Sequence, residues 1–317
     1  MITVIKKIAI LGAGTMGHGI AESFARFGYD VNLYDINAAA LEKAKEFIRQ
    51  ELELFVEESF LQQAEIQVIL ARINTFTDLE PAVRDREYVL ECAPENMELK
   101  QNLFRQLDEL CPKHTILASN TSSLPLGGMM ALVSEDRKQR MLVNHMFNPA
   151  HLIPLVELSF FGNMPEEIYQ EVEELYRSIQ KQPVRIVKDV PGLVANRIMQ
   201  GVAREVFSLI EQGVADAADI DRALKFGPAF RYATTGQLEV SDFGGLDIWC
   251  TVGDNLLKAM DNSQTANKLL RQKVNEGKLG VKSGEGFYHY EPDQVAAIKK
   301  NFMKKLIQQL KVSQHYA

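Results

Sequence analysis

The chain has 317 residues, 46% of them hydrophobic and 24% charged, with a formal net charge of −7. That length can bury a substantial core and hold two domains, while the acidic balance argues against non-specific nucleic-acid binding, which needs a basic surface. The three cysteines, Cys92, Cys111 and Cys250, are widely spaced without a CxxC pair, which argues against a disulfide framework or a cysteine-rich zinc site and fits a reducing cytoplasm. No apolar run approaches the roughly 18–20 residues a membrane helix needs, so neither a membrane nor a nucleic acid is an expected partner.

In chain order, KIAILG (7–12) comes first; it is too short and glycine-rich for a signal peptide and reads as a strand. DVNLYD (30–35), YVLECA (88–93) and TILASN (115–120) are similar short aliphatic runs stopped by Asp, Pro or Asn. Between them lie amphipathic stretches, HGIAESFARFG, AAALEKAKEFIRQELELFVEES and NMELKQNLFRQLDEL. Strands separated by helices imply right-handed βαβ units and a parallel sheet covered on both faces. RMLVNHMF, LIPLVEL and PVRIV (183–187) read as three further strands. From about residue 192 helix-like segments take over, and DVPG (189–192) marks the change. The expected fold is α/β, a Rossmann-type doubly wound parallel sheet over residues 1–190, followed by a smaller all-α C-terminal domain over 191–317.

The first strand runs into Gly12-Ala13-Gly14-Thr15-Met16-Gly17. A lone GxGxxG is weak, but this one follows a strand, opens a helix and precedes a second strand that ends in Asp35. Gly12 allows the tight turn, Gly14 lets the backbone approach a pyrophosphate, and Gly17 lets helix and strand pack closely. The helix N-terminus then faces the phosphates. Asp35 is placed to accept hydrogen bonds from the adenosine ribose and would repel a 2′-phosphate, so the expected cofactor is NAD rather than NADP. A glycine turn beside an exposed aspartate is the plainer alternative.

VNHMFNPAHLIPLVEL (143–158) places His145 and Glu157 in otherwise apolar surroundings. The two strands can return on each other near Asn148-Pro149 and bring the side chains together. A neutral histidine suits proton abstraction near neutral pH, and a carboxylate on its far nitrogen fixes the tautomer and stabilises the imidazolium. Spacing alone fits a buried structural His–Glu pair at least as well. His18, His114, His289 and His315 are scattered, so no metal-ligand spacing emerges and no metal is expected. His151 lies near the hairpin, at the expected substrate entrance. GVKSGEG lacks the Gly-Lys of a phosphate loop, because Val281 precedes Lys282.

Four stretches together resemble the L-3-hydroxyacyl-CoA dehydrogenase family, which includes the 3-hydroxybutyryl-CoA dehydrogenases: ECAPENMELK (91–100), SNTSSL (119–124), NHMFNP (144–149) with LVEL behind it, and PGLVANR (191–197). GKLGVKSGEGFYHY (277–290) is similar to the family's C-terminal signature, so the resemblance spans nearly the whole chain. It implies NAD-dependent oxidation of an L-3-hydroxyl, with His145 as base and Glu157 behind it. It also implies that Ser122 and Asn196 bond the reacting oxygen or the catalytic groups, and that Ala93, Glu95, Lys100, Asn120 and Asn148 line the cofactor. A homodimer through the C-terminal domain follows from the same resemblance. Without it, SNTSS reads as a serine-rich helix cap and Lys100 as a solvated helix lysine.

The chain departs from that pattern where the family meets coenzyme A. Glu51 and Glu58 fall at the positions of a CoA-contacting serine and lysine, and a carboxylate facing a phosphate weakens binding. Ile153-Pro154 and Arg231 are similar instead to the carnitine and gulonate dehydrogenases, which act on free hydroxy acids. Arg231 suits a free carboxylate through its fork of donors, or alternatively a surface salt bridge. The leading expectation is a short 3-hydroxyacyl-CoA substrate; a CoA-free 3-hydroxy acid is the alternative. A 6-phosphogluconate-like dehydrogenase would carry a lysine where Asn196 stands, and a non-enzymatic crystallin-like protein would not need the retained His145, Glu157, Ser122 and Asn196.

Overall fold

The structure is a computed structural model and describes residues 5–314, so His315 lies outside the described residues. Its strands are β1 Lys7–Leu11, β2 Asp30–Tyr34, β3 Ile73–Phe76, β4 Tyr88–Glu91, β5 Ile116–Ser119, β6 Met141–Met146, β7 Leu155–Ser159 and β8 Gln182–Ile186. They form one sheet in the order β3-β2-β1-β4-β5-β6-β7-β8. All neighbours run parallel except β6 and β7. This is the doubly wound arrangement expected from the alternating pattern.

Both faces of the sheet are covered, which is why its central strands are continuous apolar runs rather than alternating ones. Ile8 and Ile10 of β1 pack with Leu33 against Ile20 and Phe24 of helix α1 (Gly17–Arg26). Ala9 and Leu11 point the other way, toward Val89 and toward Phe104 and Leu107 of the helix Met97–Leu110. Helix α2 (Ala38–Glu57) starts at Asn37, whose side chain accepts from the Ala39 N–H, and buries Leu41, Ala44, Ile48, Leu52 and Phe55 along one face. The sequence pattern misses β3. Its INTF run pairs only with β2 at the sheet edge and is half-exposed after Ile73, so it carries little hydrophobic signal.

The chain divides into two compact units, one of residues up to Val194 with Leu306–Leu310, the other beginning at Ala195. In the second unit the described residues form helices, among them Ala195–Glu211, Ala217–Phe226, Pro228–Tyr232 and Leu246–Leu256. GVKSGEG is a turn-rich segment held by isolated bridges from Glu285 to Gly280 and His289. It borders a pocket of about 490 Å³ within that unit, where Phe207 stacks on Phe287. Among the described residues no helix is long and apolar enough to cross a membrane.

Candidate active site

Open parallel sheets bind ligands at the carboxyl ends of the strands, where neighbouring connections diverge to opposite faces. Here that point lies between β1 and β4. The glycine turn leaves β1 with Gly12 at φ +106°, and a Cβ there would lie 2.8 Å from the Cys92 carbonyl oxygen. At Gly17 a Cβ would fall 1.7 Å from the Gly12 oxygen. Protein packing therefore demands both glycines. Gly14 differs, since a Cβ there would meet nothing within 4 Å. Its bare backbone leaves room for a group that the protein itself does not supply.

Met16 caps α1 without any side-chain hydrogen bond; the His18 N–H turns back to the Gly14 oxygen at 3.4 Å, and the positive end of the helix faces the glycine turn, where it suits a phosphate. Ala13 is buried, Thr15 exposed and Met16 half-buried. Asp35 follows β2; its Oδ2 accepts from the Ala13 N–H at 2.9 Å and its Oδ1 from the Asn37 N–H at 2.9 Å. Those bonds fix the carboxylate beside the glycine turn and leave further lone pairs for ribose hydroxyls. The donor set and the open cradle fit NAD.

Antiparallel pairing of β6 with β7 sets His145 directly opposite Glu157. His145 Nδ1 lies 2.8 Å from Glu157 Oε2, and Glu157 Oε1 accepts from the Val194 N–H at 2.9 Å. Glu157 is fully buried and His145 nearly so, with the Phe147 ring edge-on at 5.1 Å. With the Nδ1 proton donated to the carboxylate, Nε2 keeps its lone pair and becomes the basic nitrogen.

Two loops are tied together by a carboxylate that the sequence pattern does not single out. Glu91, at the end of β4 and fully buried, accepts from Lys100 Nζ at 2.6 and 2.8 Å, from Ser119 Oγ at 2.5 Å and from the Ala93 N–H at 2.6 Å. Lys100 is thus buried at the sheet end, not solvated, and it also lies 3.4 Å from Glu95. Glu95 in turn accepts from the Thr121 hydroxyl, from the Ser122 and Ser123 N–H groups at 3.2 Å each, and from Ser123 Oγ at 2.9 Å. Burial alone would raise the Glu95 pKa, but these hydrogen bonds and Lys100 hold it below the ordinary carboxylate range. Of the hydroxyls in SNTSS, those of Ser119, Thr121 and Ser123 are committed to carboxylates, while the Ser122 hydroxyl has no partner among the described residues. Asn120 Oδ1 accepts from the Met146 N–H at 2.9 Å, beside His145.

The remaining candidates are more scattered. Asn148 is exposed at a cis Asn148-Pro149 bond. Asn196 stands in the first turn of the helix Ala195–Glu211, and Arg231 is exposed in the helix Pro228–Tyr232 with no ion pair among the described residues. Both belong to the second unit. Glu51 does not project into solvent; it is mostly buried against His18, with Nε2–Oε1 at 3.2 Å. Glu58 accepts from Gln308 Nε2 at 2.5 Å. His151 is buried, turned toward Glu51 and toward Gly19, whose Cβ would sit 3.1 Å from its Nδ1.

A dinucleotide-binding sheet of this kind suits an NAD-dependent oxidoreductase. Residues 7–190 match the family model for the 3-hydroxyacyl-CoA dehydrogenase NAD-binding domain, and residues 192–290 match that for its C-terminal domain. The chain belongs to the 3-hydroxyacyl-CoA dehydrogenase family. It is 36% identical over 288 residues to a probable 3-hydroxybutyryl-CoA dehydrogenase of Bacillus subtilis, covering 90% of this chain and 98% of that one. It is also 35% identical over 307 residues to the 5-formyl-3-hydroxy-2-methylpyridine 4-carboxylate 5-dehydrogenase of Mesorhizobium japonicum, covering 96% and 97%. A solved structure of an enzyme of that latter activity, described as an NAD+ dependent dismutase, superposes with a TM-score of 0.88 over 99% of this chain and 100% of its own, at 31% identity. The Ralstonia eutropha (S)-3-hydroxybutyryl-CoA dehydrogenase gives 0.72 over 90% and 99%, at 33% identity.

Proposed function

We propose that this enzyme oxidises the L-3-hydroxyl of a short 3-hydroxyacyl-CoA to the 3-keto compound, reversibly, with His145 as general base. The observation that carries the reading is the 2.8 Å contact between His145 Nδ1 and the buried Glu157, which leaves Nε2 as the proton acceptor. Bound NAD supplies the hydride acceptor. His145 takes the hydroxyl proton; Glu157 holds the ring and balances the charge it gains. Ser122, with its uncommitted hydroxyl, hydrogen-bonds the reacting oxygen, and the resemblance assigns Asn196 the same task. The Glu91–Lys100–Glu95 chain positions Ser122 and the loop after β4 along the cofactor.

A second reading, a carboxylic acid not carried on coenzyme A, has its own support. The relative acting on a pyridine carboxylate matches nearly the full length of this chain, and its solved counterpart superposes more closely than the 3-hydroxybutyryl-CoA enzyme described above. The hydrate of an aldehyde presents the same H–C–O–H unit to a base as a secondary alcohol does, so one His–Glu pair serves both substrates. Arg231 would then hold the free carboxylate.

Following NADH absorbance with 3-hydroxybutyryl-CoA, carnitine, gulonate and the formylpyridine carboxylate separates the two. Turnover of the thioester at least tenfold above the free acids is expected; turnover of a free acid alone excludes the first reading. His145→Gln is expected to lower kcat by about a hundred- to ten-thousand-fold. Activity at the parent rate would remove His145 from the mechanism.

A further inference from the structure

Away from the strand ends, three groups with metal-ligating atoms meet where α1, α2 and the connection after β6 pack together. Glu22 of α1, Glu51 of α2 and His151 of the connection each bring one such atom to within 4.8 Å of the others. Glu22 is fully buried, yet neither of its carboxylate oxygens has a hydrogen-bond donor, and one Glu51 oxygen lacks one too. His151 is 4% exposed, and its Nδ1 stands 3.7 Å from Glu51 Oε1, too far for a hydrogen bond.

The nearby cations do not satisfy these atoms. Arg26 Nη1 approaches Glu22 only to 3.9 Å, whereas a committed guanidinium–carboxylate pair closes to about 2.7–2.9 Å. Its guanidinium lies over the Phe55 ring at 4.0 Å, and its Nε is itself without a partner. Lys181 Nζ is committed to the Ala150 and Ile153 carbonyls at 2.5 and 2.7 Å. His18 orients Glu51 from outside the cluster: its Nε2 faces Oε1, while its Nδ1 lies 2.8 Å from the Gly14 oxygen in the glycine turn. Ligating carboxylates are commonly held by such outer partners.

We propose that Glu22, Glu51 and His151 form a site for a divalent transition-metal ion of the zinc class. One imidazole nitrogen and two carboxylates suit such an ion better than magnesium or calcium, which take oxygen ligands only. Three protein ligands leave coordination positions for water. Two carboxylates balance its charge in a buried place. The rival occupant is a proton on Glu22, donated to Glu51. The ligands stand at residues 22, 51 and 151, far apart in the chain, which is why their spacing gives no metal signal.

The test uses the full chain, stripped with a chelator and titrated with Co2+ at neutral pH. Expected are one Co2+ per chain, visible d–d absorption, displacement by Zn2+ and a higher thermal midpoint with Zn2+. Glu22→Gln and His151→Gln should each weaken binding by about tenfold or more. No stoichiometric Co2+ binding by the parent protein overturns the proposal in favour of the proton alone. Binding undiminished in the variants overturns it in favour of exposed histidines such as His114 and His289. Should Glu22→Gln fail to fold, His151→Gln decides by the same readout.

Discussion

Glu91 and Glu157 are both fully buried, and their surroundings give them different tasks. Glu91 neutralises the equally buried Lys100 and accepts two further hydrogen bonds, so its work is to hold loops in place. Glu91→Gln leaves the ammonium with only the partly exposed Glu95 as counter-charge and is expected to destabilise the protein by about 3 kcal/mol in urea denaturation. Adding Lys100→Met should recover part of that loss, because the pair is then removed together. Glu157 faces a titratable ring instead. Glu157→Gln is expected to lower kcat by about a hundred- to ten-thousand-fold while leaving NAD affinity, read by fluorescence titration, within about threefold. The histidine and its partner are legible in the sequence because a short apolar return can bring them together. Glu91 and the burial of Lys100 are not, since a glutamate closing a strand and a lysine in a helix have ordinary solvated readings.

At the scale of elements, hydrophobic runs mark seven strands, while β3 escapes because an edge position tolerates Asn74 and Thr75. The glycine turn is legible for a related reason: two of its glycines are dictated by backbone contacts under 3 Å, and the third by the space it leaves. Lys181 illustrates what sequence cannot show. It staples the β6–β7 connection through two carbonyls, and burial, with Arg26 nearby, lowers its pKa to about 7 from 10.5. Between those two values the unfolded chain binds a proton that the folded chain lacks, so stability rises with pH across that window. The burden is full below it. With chelator present, parent stability relative to Lys181→Met should increase by about 2 kcal/mol from about pH 7 to about pH 9. A flat difference in denaturation midpoints would mean that Lys181 stays protonated.

The molecule as a whole distributes its burial unevenly. Between Ala195 and Lys305 only Ile220 and Val240 are buried apolar residues, while Phe226, Phe230, Leu238 and Phe243 are each at least 70% exposed. Exposed apolar side chains in that number suit a docking surface better than scattered exposure. A homodimer through this unit is the occupant proposed here, and sedimentation at micromolar concentration should show a dimer. A monomer across that range would rule it out. The same exposure leaves the helical pattern of the second unit readable but hides what its apolar faces meet.

The direct opposition of His145 and Glu157 across β6 and β7 carries an evolutionary corollary. Because side chains alternate along a strand, sliding one ribbon by a single residue would send the carboxylate to the opposite side of the sheet. Insertions and deletions between Phe147 and Pro154 escape that constraint, as they alter the connection without disturbing the ladder. Descendants of this architecture are therefore free to remodel that connection, His151 included, while inheriting the histidine–glutamate pairing intact.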